Sequence, residues 1–324
     1  MRAVRRRLRA AVVGVGYLGR FHAEKYAAHP GAELVAVVDA DASRVQTVGA
    51  ELGVEGLTDY RALAGRIDCA SVAVPTNRHF EVARDLLEAG IDVLVEKPVT
   101  TTVEEAKALV ELAMRGERIL QVGHLERFNP AIVALEGVIT QPRFIECHRL
   151  APFTERGTDV DVVLDLMIHD LDVILSMVQS ALRSVEAVGV PVLTSSVDIA
   201  NARLRFANGC IANVTASRVS LKRERKLRIF QADAYVAVDY GERRIRICRR
   251  EPEANGQAAL VLEEREVPEG DALESEIDAF LRAVRTREAP AVTGWDGLRA
   301  LEVAHVIRES LETEVRAVQA ASAT

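Results

Sequence analysis

The chain has 324 residues, with 41 Lys and Arg against 48 Asp and Glu, for a formal charge of −7; 49% of residues are apolar and 27% charged. This is the make-up of a water-soluble globular protein, and it excludes disordered, collagen-like and multi-span membrane classes. The mild acidity also argues against a nucleic-acid partner, because neutralising phosphates needs a basic surface. No uncharged apolar run reaches the ~20 residues of a membrane span. The basic start followed by Ala10–Gly19 is superficially like a signal peptide. Arg20, His22, Glu24 and Lys25 follow at once, so residues 1–7 read as a ragged basic tail and the expected location is the cytoplasm. Cys69, Cys147, Cys210 and Cys248 are widely spaced and sit in apolar stretches, which suits buried free thiols.

Strand and helix signals alternate over the first third. Short β-branched runs at Arg9–Val15, Leu34–Asp39, Ala70–Pro75, Asp92–Glu96 and Arg118–Val122 are separated by helical stretches at Leu18–Ala28, Ser43–Leu52, Tyr60–Ala64, His79–Ala89 and Val103–Arg115. Thr102-x-x-Glu105 is a capping box at the start of the last helix. Gly90 and Gly116 stand where a helix end favours a left-handed residue. Such alternation predicts a parallel sheet with helices on both faces.

Beyond Gly123 the pattern changes. Helices are expected at Pro130–Ile139 and Val162–Met177. Strands are expected at Phe144–Leu150, Ser184–Val190, Ile199–Phe206, Cys210–Val219, Lys226–Gln231, Tyr235–Tyr240, Arg244–Arg249 and Leu260–Glu266, then closing helices at Leu273–Thr286 and Asp296–Leu311. Asn208-Gly209 marks a hairpin. The expected fold class is α/β followed by α+β: a parallel-sheet nucleotide domain over 1–123, then a domain over 124–324 with an open, mainly antiparallel sheet.

Gly14-x-Gly16-x-x-Gly19 follows an apolar strand and opens a helix. The first glycine allows the tight turn, the second admits a pyrophosphate to the backbone, and the third lets helix and strand pack closely. The helix start, with Tyr17 and Leu18, offers free amides to an anion. Asp39 lies 20 residues past Gly19, at the end of the next strand, where a carboxylate bonds ribose hydroxyls and repels a 2′-phosphate. NAD is therefore expected over NADP, with Arg44 as the counterweight.

Ligands in open α/β sheets bind at strand carboxyl ends. Two further motifs stand there: Pro75, Thr76 and His79 after one strand, and Glu96-Lys97-Pro98 after another. Lys97 is one of only 5 lysines; the plainer reading is a solvated surface lysine. In the second half, Asp165 and His169 are four residues apart on a predicted helix and so share a face. A carboxylate beside an imidazole fixes its tautomer and suits it to general-base work. Asp172 lies near the same face and is suited to a substrate hydroxyl. The plainer reading is a helix histidine satisfied by a neighbouring acid. No metal is expected, since no second ligand cluster accompanies these residues.

Taken together, Gly14-x-Gly16-x-x-Gly19 with His22, Glu96-Lys97-Pro98, Asp165-x-x-x-His169 and the closing Gly294–Glu302 stretch resemble the glucose–fructose oxidoreductase/inositol dehydrogenase/rhizopine catabolism (Gfo/Idh/MocA) family. The resemblance spans nearly the whole chain. It implies an N-terminal Rossmann domain, a C-terminal open sheet used for dimer or tetramer contacts, and NAD-dependent oxidation of a sugar or polyol alcohol. It also implies Lys97, Asp165 and His169 as the catalytic group, with Arg127 and Asp172 touching substrate. The Gly123–Pro130 and Asp161–Asp170 segments resemble bacterial members acting on nucleotide sugars, notably UDP-N-acetylglucosamine 3-dehydrogenases that serve 3-amino-sugar synthesis for lipid A. On that likeness Asn129 and Arg218 are further substrate contacts, and Arg149, Arg156, Lys222 and Arg225 are available to a diphosphate. A free inositol or aldose is the alternative substrate. A non-catalytic nucleotide-binding regulator is the alternative of another class.

Overall fold

The computed structural model describes residues 6–154, 161–252 and 258–322. They form two compact units, one of residues 1–128 with 271–298 and the other of residues 129–270 with 299–324.

The first unit contains strands β1 (Leu8–Val13), β2 (Ala32–Val38), β3 (Glu55–Leu57), β4 (Cys69–Val72), β5 (Asp92–Glu96) and β6 (Leu120–Gly123) in one sheet of order 3-2-1-4-5-6. All neighbours are parallel. This is the doubly wound order, with its crevice where the strand order reverses between β1 and β4. Helices α1 (Tyr17–Ala28), α2 (Ala42–Leu52), α3 (His79–Glu88) and α4 (Val103–Arg115) connect the strands. The reciprocal Thr102–Glu105 box opens α4 as expected. Gly90 is left-handed at φ +79°, whereas at the end of α4 the left-handed residue is Glu117 (φ 52°) and not Gly116.

The single cut expected after residue 123 does not hold. Helix α7 (Ala272–Thr286) buries Ile277, Phe280, Leu281 and Val284 against Ala10 and Val12 of β1, Val37 of β2 and Ala23 and Tyr26 of α1. An apolar stripe that continues the core of the parallel sheet belongs to that core, whatever its place in the chain. Asp271 caps α7 through Glu274 N–H and pairs with Lys25 of α1 at 2.5 Å.

The second unit contains an eight-stranded sheet of order β14-β13-β12-β11-β7-β10-β9-β8, namely β7 (Pro142–Leu150), β8 (Leu182–Val190), β9 (Ile199–Phe206), β10 (Ile211–Ser217), β11 (Glu224–Gln231), β12 (Ala234–Asp239), β13 (Arg244–Pro252) and β14 (Ala258–Glu266). All pairs are antiparallel except β7 with β10. Gly209 turns the β9–β10 hairpin at φ +85°. One face packs on α5 (Pro130–Val133), α6 (Ile168–Met177) and α8 (Gly294–Ser322), whose Ala300, Val303, Ala304, Ile307 and Leu311 form the buried stripe. The opposite face carries Phe144, Phe230 and Tyr235 in ring contact and reaches Leu260 and Leu262, both strongly exposed.

Three helical expectations shorten. Tyr60–Ala64 is one 3-10 turn and Pro130–Ile139 is regular only over α5. The stretch from Val162 opens as a π-helical segment, Val163–Met167, before α6. The four cysteines are free, and Cys69, Cys147 and Cys210 are buried. No helix among the described residues is long and apolar enough to cross a membrane.

Candidate functional site

In the first unit the glycine turn is built as its spacing requires. Gly14 has φ +87°, and a Cβ there would lie 2.6 Å from Val74 N. A Cβ on Gly19 would lie 1.7 Å from the Gly14 carbonyl oxygen, so α1 and β1 touch backbone to backbone. At Gly16, by contrast, an added Cβ meets nothing within 4 Å. Gly16 caps α1 without a side-chain hydrogen bond, and the first turn holds no acidic residue. Tyr17 and Leu18 are exposed. An uncapped, uncharged helix N-terminus beside open space fits a pyrophosphate.

Asp39 follows β2. Its Oδ2 accepts from Val15 N–H at 2.9 Å, and Arg44 Nη1 donates to both carboxylate oxygens at 3.1 Å. Arg44 is thus held on the residue that would receive the ribose, rather than aimed outward at a 2′-phosphate. This set of residues fits NAD.

Pro75 is exposed and Thr76 half-buried beyond β4. His79, expected at the cofactor, is only 1% exposed. Its Nδ1 meets Pro98 O at 2.8 Å and its Nε2 meets Val74 O at 2.9 Å. The ring ties the turn after β4 to the turn after β5 and presents no nitrogen to a ligand. Burial pushes its basicity below the ordinary imidazole value.

Lys97 is half-buried at the end of β5, and its N–H donates to Glu96 Oε2 at 3.3 Å. Glu96 Oε1 receives His22 Nε2 at 2.9 Å; His22 Nδ1 meets Ser71 Oγ at 3.1 Å, and Ser71 Oγ meets Tyr26 OH at 2.9 Å. The chain closes with Tyr26 donating to Ser71, Ser71 to Nδ1, and Nε2–H to Glu96. Burial pushes the Glu96 carboxyl up, but the hydrogen bond from His22 and the charge of Lys97 outweigh it and hold the group below its ordinary value. Glu276 of α7 also lies here: one ligand atom each of His22, Glu96 and Glu276 falls within 4.8 Å of the others. Sequence reasoning missed Glu276, Ser71 and Tyr26. The available signal was a glutamate at a stripe position, four residues before Phe280 on a helix buried along that face. Arg127 is half-buried and donates to Ala291 O at 3.4 Å.

In the second unit, Asp165 lies in the π-helical segment and His169 in the first turn of α6, both half-buried. π-bulges recur at functional sites. Asp161 starts this stretch by accepting from Val163 N and Leu164 N at 3.0 and 3.1 Å, and Arg308 of α8 holds it at 2.6 Å. Asp172 is 1% exposed. Asn129 caps α5 through Ala131 N–H at 3.0 Å.

The arginines expected at a diphosphate are engaged elsewhere. Arg218 is 4% exposed, and its Nε donates to the buried Asp198 at 3.0 Å. Arg149 forks the buried Asp170 at 2.7 and 2.8 Å, which ties β7 to α6. A buried guanidinium on a buried carboxylate is a structural pair, and Arg218, expected at substrate, and Arg149, expected to be available to a diphosphate, each form one. Lys222 and Arg225 are exposed, and Arg156 lies outside the described residues.

Comparison with known proteins agrees with this geometry. The model of the oxidoreductase family with an NAD-binding Rossmann fold matches residues 8–124, and that of the GFO/IDH/MocA C-terminal domain matches 131–236. The UDP-N-acetylglucosamine 3-dehydrogenase of Acidithiobacillus ferrooxidans is 39% identical over 94% of this chain and 97% of its own. The chain belongs to the Gfo/Idh/MocA family. The solved structure of that Acidithiobacillus enzyme superposes with a TM-score of 0.89 at 38% identity, covering 95% of this chain and 99% of the other. A Bacillus subtilis scyllo-inositol 2-dehydrogenase (NAD(+)) is 32% identical over 66% of this chain and 68% of its own. Scyllo-inositol dehydrogenase from Lactobacillus casei, solved with NAD(H) and scyllo-inositol, shares the fold at a TM-score of 0.79 and 20% identity, covering 95% of this chain and 98% of that one. As a Gfo/Idh/MocA member the protein is an NAD-binding oxidoreductase.

Proposed function

We propose that the protein oxidises the 3-hydroxyl of UDP-N-acetylglucosamine to a ketone. The observation that carries this reading is the 39% identity to a UDP-N-acetylglucosamine 3-dehydrogenase along almost the full length of both chains. Similarity to the inositol dehydrogenase covers only about two thirds of each.

In this reading His169, oriented by Asp165, takes the hydroxyl proton, and the Lys97 ammonium stabilises the alkoxide oxygen as the carbon–hydrogen bond breaks. Bound NAD+ supplies the acceptor for the departing hydride. Positioned acid–base catalysis of this kind contributes ~10²–10⁴-fold. Arg127, Asn129 and Asp172 are proposed as substrate contacts. The open sheet face with Phe144, Phe230, Tyr235, Leu260 and Leu262 is the proposed contact between copies in a homodimer or homotetramer. A cytoplasmic location and a role in 3-amino-sugar synthesis for lipid A belong to the same reading.

A second reading, a dehydrogenase of a free inositol or aldose, is favoured by one observation: the ion pairs of Arg218 and Arg149 leave fewer cations for a diphosphate. NADH formation measured with UDP-N-acetylglucosamine, N-acetylglucosamine, myo-inositol and scyllo-inositol separates the two. Turnover of the nucleotide sugar supports the first reading. Turnover of a polyol alone overturns it.

A further inference from the structure

Glu276 is fully buried, and neither carboxyl oxygen has a hydrogen-bond partner among the described residues. It lies in the cluster with His22 and Glu96, whose ligand atoms fall within 4.8 Å of one another. We propose that Glu276 is held as a neutral carboxylic acid sharing its proton with Glu96, and that this pair positions the turn carrying Lys97. The functional half of this proposal rests on the reading of Lys97 as an active-site group.

Two carboxylates within 4.8 Å of each other, one fully buried and the other largely so, do not both readily ionise; one keeps the proton. The surroundings decide which. Glu96 accepts from His22 Nε2 and from Lys97 N–H and faces the lysine charge. Glu276 receives no donor among the described residues, and burial together with the Glu96 charge drives it well above the ordinary carboxyl range. The proton therefore resides on Glu276, whose O–H finds its acceptor in Glu96.

The groups around the pair are Lys97 at the end of β5, His22 and Tyr26 on α1, His79 at the start of α3, Ser71 and Cys69 on β4, and Gln121 on β6, whose amide holds the Glu276 backbone carbonyl at 3.1 Å. A Cβ on Gly123 would lie 3.0 Å from Glu96 Oε1, so the end of β6 packs closely on Glu96. A cation bound by the three side chains is the competing occupant. It is disfavoured because both His22 nitrogens already sit at hydrogen-bond distance from Ser71 and Glu96. With Glu276 as an acid, Glu96 keeps one orientation, receiving His22 on one oxygen and the Lys97 amide on the other. Without that donor the carboxylate keeps only its contacts to His22 and the Lys97 amide, and the Lys97 turn is less firmly held.

The test compares wild type with Glu276→Gln, which mimics the neutral acid, and Glu276→Leu, which fills similar volume without a donor. A raised carboxyl stabilises the fold below its ordinary value and loses that contribution as pH climbs through the folded value. Thermal melts between about pH 5 and 9 are therefore expected to show Glu276→Gln gaining on wild type as pH rises. Infrared spectra at neutral pH are expected to show a protonated carboxylic acid in wild type that Glu276→Gln lacks. In kinetics, Glu276→Leu is expected to lose at least ~10-fold in kcat with NAD affinity retained, and Glu276→Gln to restore most of that loss. A melting difference that does not change with pH, no infrared band, or a stoichiometric metal whose removal lowers the melting temperature overturns the proposal. Melting and infrared do not depend on turnover, so they stand even if Lys97 proves non-catalytic.

Discussion

Gly16 and Gly19 sit three residues apart in one motif yet play physically separate parts, and alanine at each separates them. At Gly16 (φ −67°) the backbone is open to any residue, and an added Cβ meets nothing within 4 Å. Gly16→Ala should leave the ligand-free fold intact or gain a few tenths to ~1 kcal/mol from reduced unfolded-state freedom. The same methyl stands where a pyrophosphate would approach the helix start, so NAD affinity should fall at least ~10-fold, about 1.4 kcal/mol. At Gly19 the added Cβ lies 1.7 Å from the Gly14 carbonyl oxygen, about half an ordinary contact distance, and that oxygen is a backbone atom that no rotamer change can move away. α1 must back away from β1, at a cost of about 2–3 kcal/mol of overpacking. For a unit of this size that lowers the melting temperature by roughly 5–10 °C. Calorimetry of NAD binding alongside thermal melts of the apo-protein reads both quantities. Wild-type NAD affinity in Gly16→Ala, or wild-type melting in Gly19→Ala, refutes the reasoning.

Other consequences can be checked separately. Lys97→Met and His169→Ala should each lose ~10²–10⁴-fold in turnover while NAD affinity, read by calorimetry, stays within a factor of about three; near-wild-type rates in both would remove these residues from the chemistry. Asp39→Ser removes the carboxylate and releases Arg44, so NAD binding should weaken by about 1.5–3 kcal/mol and NADP should gain relative to NAD in fluorescence titration; an unchanged ratio contradicts the role given to Asp39. Asp198→Asn leaves Arg218 buried beside a neutral amide and should cost about 3–5 kcal/mol in denaturant unfolding. Burial pushes the Asp198 carboxyl up, but Val192, Leu193 and Thr194 N–H and the Thr194 hydroxyl outweigh it and hold it well below its ordinary value of 3.8. Its stabilisation is therefore present above that value and lost as pH falls, and Asp198→Asn should flatten the acid limb of unfolding.

The parts of this molecule legible in its sequence are those whose cause is local. Strand and helix periods reveal both sheets, and the glycine spacing reveals the turn after β1 because Gly14 and Gly19 answer close backbone contacts there. The capping box at Thr102 and the Asn208-Gly209 turn are local for the same reason. What stayed hidden is tertiary. Arg218 and Arg149 look like free cations until Asp198 and Asp170 are brought against them. His79 looks like a ligand until both its nitrogens close on carbonyls from two loops. α7 follows the second sheet in the chain, yet its stripe fits the core of the first. Glu276 sits on that stripe, where periodicity expects an apolar residue, and a mismatch between residue type and face was the visible sign of the buried pair.

The central claim is oxidation at one carbon of one substrate, and the position of the new carbonyl tests it most directly. After incubation with NAD+ and UDP-N-acetylglucosamine, the product is reduced with borodeuteride and located by mass spectrometry and proton resonance. The account predicts a product lighter by two hydrogens, with deuterium entering at carbon 3 of the sugar. Deuterium at another carbon, or an unaltered nucleotide sugar beside active turnover of a free polyol, contradicts it.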